Sequence, residues 1–443
     1  MSNGLSFKYD TARKIVNTLK AGGFVTLFAG GCVRDIILNE RPKDYDIVTT
    51  ATPEEVKEMF DKTIDVGEKY GVIKVIVLGT AFEVATFRTD VGYVDGRRPV
   101  AVKYAEAHED ARRRDFTING MFFEPLSGEV IDYVGGRKDL ERRLVRAIGD
   151  AQERLSEDYL RLLRAVRFAS RLGFVIEKET LKAIEANAAG IAKVSGERVR
   201  QELEHIFDDS SRRRALEIME ATGLLEHVLP EVAAMRLVPQ DPELHPEGDV
   251  WQHTLLCMEN LKEPSFVLAM GVLLHDVGKP VVASVQGERH FHTHERVGES
   301  IVRKVAGRLR LSKRETDAVA FLVRYHLVFK DVKKMKKSTL KRVLGHELFQ
   351  DLAALHRIDA ISSAGDLSNW EFAMTKRAEL TQEQLKPKAL LNGDDLKAIG
   401  VAPGPLMGKL LGRIYTAQLE EEISTRPEAL ELAARLIAEE PKE

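Results

Sequence analysis

The sequence predicts an α/β domain over residues 1–150 followed by a chain that is helical to its end. Short β-prone apolar runs alternate with glycine-punctuated turns in the first part: FVTLFA (24–29), DYDIV (44–48), VIKVIVL (72–78), AFEVATF (81–87) and EVIDYV (129–134). From about residue 150 the apolar groups recur at helical spacing instead. With 443 residues the chain exceeds what one core holds. The divisions expected are 1–150, 151–210, 211–245 (closing in a linker), 246–365, and a helical tail over 366–443.

Composition excludes several classes. Charged residues make up 30%, yet the net charge is −3, so any basic surface for a nucleic acid must be local. Two cysteines, Cys32 and Cys257, support neither a disulfide framework nor a zinc–thiolate site. No apolar run of about 18 residues and no signal-peptide pattern is expected, which predicts a soluble, cytoplasmic protein.

Residues 8–22 predict an opening helix with Ile15 and Leu19 on one face, closed by Gly22-Gly23. After the buried strand FVTLFA, Gly30-Gly31 lets the backbone turn tightly and approach a ligand with no side chain in the way. CVRDIILN (32–39) returns to helical spacing, so a phosphate can rest on the free amides at its start with Arg34 as a cationic clamp. In DYDIV, strand alternation puts Asp44 and Asp46 on one face. Two carboxylates so placed suit a divalent cation, typically Mg²⁺, bound together with substrate phosphates. Thr52-Pro53-Glu54-Glu55 starts a helix. Two strands joined by Gly79-Thr80 follow, and Glu83 in the second is either an exposed alternating position or a third metal-side carboxylate.

Residues 88–112 are polar and Gly/Pro-punctuated, which predicts a long loop. Arg112-Arg113-Arg114-Asp115-Phe116-Thr117-Ile118-Asn119 is a basic helix start or a triphosphate and ribose site. EVIDYVGGRKDL predicts a strand, a Gly135-Gly136 turn and a helix start at Lys138-Asp139. Ser156 is the expected N-cap of a helix over 156–174. On it Asp158, Arg161 and Arg164 fall at three-residue steps, and spacing alone makes Asp158 and Arg161 a helix-surface ion pair. Helices continue over 195–207 and 212–232, with Pro230 as a stop, before a proline- and charge-rich linker at 236–252.

A second constellation follows the linker. His253 heads an apolar helix, and His275-Asp276 ends another. Beyond them come His290, His292 and His294, then Tyr325-His326, and Asp359 in LHRIDAISS. This order resembles the HD metal-dependent phosphohydrolase domain. The resemblance implies that His253, His275, Asp276 and Asp359 bind a metal, with His294 and His326 as second-site ligands. Imidazole is softer than carboxylate or water, so Mn²⁺, Ni²⁺ or Zn²⁺ is favoured there over Mg²⁺.

The GG turn followed by DxD resembles the signature of nucleotidyltransferases of the DNA polymerase β superfamily. Over about residues 20–235 the chain resembles, more specifically, a class II tRNA nucleotidyltransferase, the family of CCA-adding, A-adding and CC-adding enzymes and bacterial poly(A) polymerases. GGCVRD with DYDIVTTATPEE, RRDFTING, DYVGGRKDL, EDYLRLLRAVRFA and GERVRQEL occur in that family's order, with Gly120 where alanine is commoner. The resemblance implies an α/β nucleotidyltransferase head, then all-α neck, body and HD domains. It makes Asp44 and Asp46 Mg²⁺ ligands with Glu83 as a third carboxylate, and gives Gly30, Gly31, Arg34, Arg114, Asp115, Asn119 and Arg164 to nucleotide binding. Asp158 and Arg161 become the amino-acid template that reads the incoming base. The implied reaction adds the terminal A, or all of CCA, to tRNA from ATP and CTP. The DGRRP loop (95–99) disfavours a CC-only enzyme. Rival readings are poly(A)-polymerase-like adenylation, an HD phosphohydrolase whose head only senses a nucleotide, and a non-catalytic RNA-binding protein.

Overall fold

The structure, a computed structural model, describes residues 3–67, 71–94, 98–242, 245–246, 248–286, 291 and 293–439. The chain divides into two compact units, Met1–Ala233 with Gly307–Leu311 and Ala234–Ala306 with Ser312–Glu443.

The first unit is built on β1 (Thr26–Ala29), β2 (Asp46–Thr49), β3 (Thr63–Gly67), β4 (Val72–Val77) and β5 (Thr80–Thr86). Next come β6 (Arg88–Val94) and β7 (Arg98–Tyr104), then β8 (Phe122–Glu124) and β9 (Glu129–Ile131). Seven of these form one mixed sheet in the order β3-β4-β5-β2-β1-β8-β9. β2 and β5 run parallel, with Ile47 opposite Val84. The helix Asn3–Ala21 buries Ala12, Ile15, Val16 and Leu19, and Phe28, Ile47, Val75 and Phe122 are buried from the sheet. The β4–β5 turn is two residues, Leu78 (φ 50°) and Gly79 (φ 77°), both in the left-handed region, as a tight twisted hairpin requires.

Three local expectations change. The stretch 88–112 is not a loop: β6 and β7 pair antiparallel from Arg88–Tyr104 to Val94–Arg98, and a helix Ala107–Arg113 follows. Cross-strand backbone pairing joins the two strands of such a ribbon, and no apolar periodicity announces it in the sequence. Within the DGRRP loop, Asp95, Gly96 and Arg97 lie outside the described residues. Ser156 is not an N-cap either. Asp150 caps a helix Ala151–Glu157 by accepting from the Glu153 amide at 2.9 Å, the chain breaks at Asp158 (φ −147°, ψ 101°), and a second helix runs Leu160–Leu172. Finally, Pro230 opens a short helix, Pro230–Ala233, where its missing N–H costs nothing.

The second unit is helical among the described residues. Helices Val250–Asn260, Phe266–Leu274, Lys313–Tyr325 and Phe349–Ser362 surround a core that includes Trp251, Leu273, Leu322 and Leu355. The tail closes a core of its own from Leu396, Leu410, Ile414, Ala429 and Ala433. The 18-residue stretch Phe266–Ala283 is, against expectation, apolar and long enough by composition for a membrane span; 72% of it is buried inside the protein. It breaks between Leu274 and Lys279 into two helices. The centre of a helical domain has the same composition as a membrane helix because both avoid water.

Gly120 sits where a methyl would lie 2.8 Å from both Ile148 Cδ1 and Val134 Cγ2. Those neighbours occupy the space an alanine would fill. Gly120→Ala should therefore lower stability by about 1–3 kcal/mol through overpacking, and Ile148→Val in the same chain should recover part of it. Urea midpoints of the single and double variants check this.

Candidate active site

The end of β1 and the start of β2 build the floor of a cleft. Asp46 pairs with Ala29, so its carboxylate stands beside the next residue, Gly30, whose φ of 74° lies in the left-handed region. A methyl on Gly30 would lie 3.4 Å from Asp46 Oδ2 and 3.5 Å from Arg114 Nη1. Glycine there keeps the backbone close to both groups without strain. Gly31 opens the helix Gly31–Ile37. The strand starts only at Asp46, because β1 turns away at Gly30 and leaves Asp44 without a partner strand. Asp44 is nonetheless on the cleft wall, 84% exposed, with Lys8 Nζ at 3.0 Å. Glu83 is half exposed on β5, one residue before the Ile47–Val84 pair, and so stands next to Asp46, with Lys74 at 3.4 Å. Both alternatives for Glu83 thus coexist: it is an exposed strand position and it faces the carboxylates. Burial raises the Asp46 carboxyl above its usual range, the charges of Glu83 and Asp44 raise it further, and Arg114 opposes them. Three carboxylates crowded this way form an all-oxygen donor set that suits a hard divalent cation.

Facing them is a cleft of about 770 Å³ walled by guanidiniums. Asp110, fully buried, anchors two of these: Arg113 Nη2 lies 2.7 Å from Oδ1 and Arg114 Nη2 lies 2.9 Å from Oδ2. Burial would raise the Asp110 carboxyl, but Arg114 and Arg113 hold it below the usual range. Arg114 also lies over the Phe122 ring at 5.3 Å. Arg34 is already committed, 2.6 Å from Asp35 and donating to Asn119 Oδ1 at 3.0 Å, so it braces the wall more than it waits for a phosphate. Asn119 donates to Asp115 at 3.3 Å, and Arg164 Nε donates to the other Asp115 oxygen at 2.7 Å. The result is one continuous chain, Arg34–Asn119–Asp115–Arg164.

Asp158 and Arg161 both line the cleft but are not the ion pair that spacing suggests. The helix break at Asp158 turns its carboxylate toward Arg198, which binds it with two hydrogen bonds of 3.1 and 2.7 Å. Arg161 instead donates to Glu157 at 2.5 Å, to the Arg154 carbonyl at 2.6 Å and to the Arg113 carbonyl at 3.3 Å. Arg167 stacks on Phe168 at 4.7 Å, and burial lowers it to about 10. Sequence reasoning passed over Arg198, Arg167 and Asp110. Arg198 stands in GERVRQEL, and its charge, able to pair with Asp158, was the available signal.

The second unit gathers its histidines around Asp276. Its Oδ1 lies 3.3 Å from His294 Nε2 and 3.9 Å from His326 Nε2, and its Oδ2 lies 3.3 Å from His275 Nε2. His253 Nε2 lies 3.1 Å from Asp359 Oδ1. The Nδ1 atoms of His275, His294 and His326 each sit 2.6–2.7 Å from the carbonyl three residues earlier, which turns every Nε2 inward. His275 Nε2 is buried and makes no hydrogen bond of good geometry, as an imidazole kept for a metal would be. Burial, then the neighbouring imidazoles, lower His326 to about 3, so it is neutral and able to ligate. Burial would raise Asp276, but Lys279, 2.6 Å away, and His275 hold it well below the usual range. Cys257 adds a thiol to this cluster that was not anticipated, and burial raises its pKa. His290 and His292 lie outside the described residues.

Residues 26–146 match the poly A polymerase head domain, 173–236 the probable RNA and SrmB-binding site of polymerase A, and 249–364 the HD domain. The crystal structure of Bacillus stearothermophilus CCA-adding enzyme in complex with CTP has a TM-score of 0.72 and 27% identity, covering 97% of this chain and 98% of that one. The Thermotoga maritima CCA-adding enzyme complexed with tRNA shares the fold, with a TM-score of 0.57 at 20% identity over 96% of this chain and 94% of that one. The CCA-adding enzyme of Lactiplantibacillus plantarum is 31% identical over 437 residues, 98% of each chain. On that full-length similarity, the chain belongs to the CCA-adding enzyme family of nucleotidyltransferases.

Proposed function

We propose that the protein adds nucleotides to the 3′ end of tRNA, building CCA from CTP and ATP with release of pyrophosphate. The observation that carries this is the pair Asp44 and Asp46 on an arginine-walled cleft large enough for a nucleotide, with Glu83 in the pocket adjoining them. A head that only senses a nucleotide has no need of that carboxylate cluster. Acting on tRNA, the protein would work in the cytoplasm.

The residues divide the work. When bound on Asp44 and Asp46, Mg²⁺ lowers the pKa of the attacking hydroxyl and neutralises charge on the triphosphate. Arg114, held by Asp110 and aimed at Gly30, binds the triphosphate. The 3′-hydroxyl of the tRNA attacks the α-phosphorus, and the bond to the β-phosphate oxygen breaks. Cytosine and adenine both present an exocyclic amine, where uracil and guanine present a carbonyl. At that ring position a carboxylate accepts from the first two only, and Asp158, fixed by Arg198, lines the cleft wall where it would read it. Arg161, held by Glu157 and by the Arg154 and Arg113 carbonyls, stands in the same wall as a fixed cation whose fork-shaped geometry a lysine could not match.

Incubation of the purified protein with tRNA transcripts ending at N73, C74 or C75, each offered labelled CTP or ATP with Mg²⁺, tests the proposal. Extension of the first by two C and one A is the expected result. Addition of A alone to C75 would make it an A-adding enzyme instead. Asp46→Ala or Asp44→Ala should lower addition by several kcal/mol of transition-state stabilisation, roughly 10³-fold, while circular dichroism and tRNA binding stay normal.

Asp158→Ala should affect choice more than rate. Discrimination of CTP and ATP against UTP and GTP should fall by on the order of 1–3 kcal/mol, read as ratios of kcat/KM. An equal loss for all four nucleotides would make the Asp158–Arg198 pair structural.

The His/Asp cluster favours a second activity, hydrolysis of a phosphoester, because its ligands converge with their Nε2 atoms turned inward. A transition metal bound there would activate water for attack on the phosphorus. Chelator-stripped protein should not cleave bis(p-nitrophenyl) phosphate, and Mn²⁺, Ni²⁺ or Zn²⁺ should restore cleavage. His275→Ala with Asp276→Ala should abolish it, with nucleotide addition by the same sample serving as the control for folding.

A further inference from the structure

We propose that Cys257 is itself a ligand in the second unit's cluster. This makes one of its metal positions a mixed imidazole, carboxylate and thiolate site for a thiophilic ion of the Zn²⁺ or Co²⁺ class. The proposal rests on the metal-binding reading of that cluster and goes beyond its histidines and aspartates.

Placement comes first. Cys257 follows His253 by four residues on the helix Val250–Asn260, so the two side chains share one face. The thiol is fully buried, with Sγ 3.4 Å from His253 Nε2. On the other side of that nitrogen stands Asp359 Oδ1 at 3.1 Å. Together with His275, the ligand atoms of His253, Cys257 and Asp359 all lie within 4.8 Å of one another. A tetrahedral zinc site with ordinary bond lengths has N···O and N···S edges of about 3.3 and 3.5 Å. The observed pairs are already close to those separations.

His275 gives the independent observation. Its Nε2 is buried, lacks a well-formed hydrogen bond, and points into the same four-atom group. Such an atom is costly to leave unsatisfied, and a cation among the four removes the cost. A cysteine serving only as a small core hydrophobe would instead be surrounded by apolar groups. Chemistry then selects the ion. One thiolate among imidazoles shifts preference away from Mg²⁺ and toward softer ions. Binding also releases the thiol proton to solvent, since only the thiolate ligates. The low cysteine count excluded a site made of thiolates; a mixed site needs only one.

Titration of the chelator-stripped, full-length protein with Co²⁺ tests this without any activity measurement. Visible d–d bands report four-coordinate Co²⁺, and a near-ultraviolet sulfur-to-Co²⁺ charge-transfer band reports the thiolate. The expected result is both bands in the wild type and in Cys32→Ser, with loss of the charge-transfer band in Cys257→Ser. Zn²⁺ affinity should fall in Cys257→Ser by on the order of 10–100-fold. Because the chain has two cysteines, persistence of the band in Cys32→Ser assigns it to Cys257 even if Cys257→Ser fails to fold. Visible bands without a charge-transfer band would overturn the proposal and leave the metal-binding reading standing. No Co²⁺ bands at all would overturn both.

Discussion

The first unit depends on keeping opposite charges together where little water reaches them. Asp110 is fully buried and would be untenable as a lone carboxylate, and it in turn helps to hold Arg113 and Arg114 in place. That buried pair of ion pairs holds a guanidinium beside the Gly30 turn, opposite Asp46. From it the cleft extends through Asp115, Arg164 and Glu202, whose carboxylate lies 2.9 Å from Arg167 Nε. Removing one member of such a network leaves an uncompensated charge. The carboxylates on the floor are treated in the opposite way. Asp44, Asp46 and Glu83 are left close together, and after burial the charges of Glu83 and Asp44 raise the Asp46 carboxyl further.

The second unit orients its ligands by backbone geometry instead. His275 and His326 stand where one helix ends, and His294 where another begins, and each directs Nδ1 to the carbonyl three residues back. One local rule, repeated three times, turns three Nε2 atoms onto a single aspartate. Burial then lowers His326, which keeps that imidazole uncharged, as ligation requires. The cleft and the cluster thus fix their side chains by different means, salt bridges in one and backbone carbonyls in the other.

Some of this was legible residue by residue. The Gly30 turn, the strand carrying Asp46 and the helix start at Thr52 are local rules, and the structure follows them; the helix expected from Lys138-Asp139 begins two residues earlier, at Gly136. Ser156 was misread because Asp150 competes for the cap six residues earlier and is followed by a good helix former. The β6–β7 ribbon escaped notice because a self-paired ribbon carries no apolar stripe. Strand β3 lacks such a stripe as well, and it exists because β4 offers it a hydrogen-bonding edge.

By itself the sequence determined the α/β-then-helical plan, the Gly30-Gly31 turn, and the histidines and carboxylates, though not the cysteine, that could ligate a cation. These follow from short-range sterics and from side-chain chemistry, which neighbours in the chain settle. Only the tertiary structure decided that Asp158 answers to Arg198 and not to Arg161, that Arg34 is spent on Asn119, and that Glu83 stands beside Asp46. It alone placed Cys257 against His253 with Asp359 and His275 closing around them. Each of these pairs a residue with one from another element. A charged or ligating side chain takes the partner that lets it leave water, and that partner is fixed by packing, not by distance along the chain.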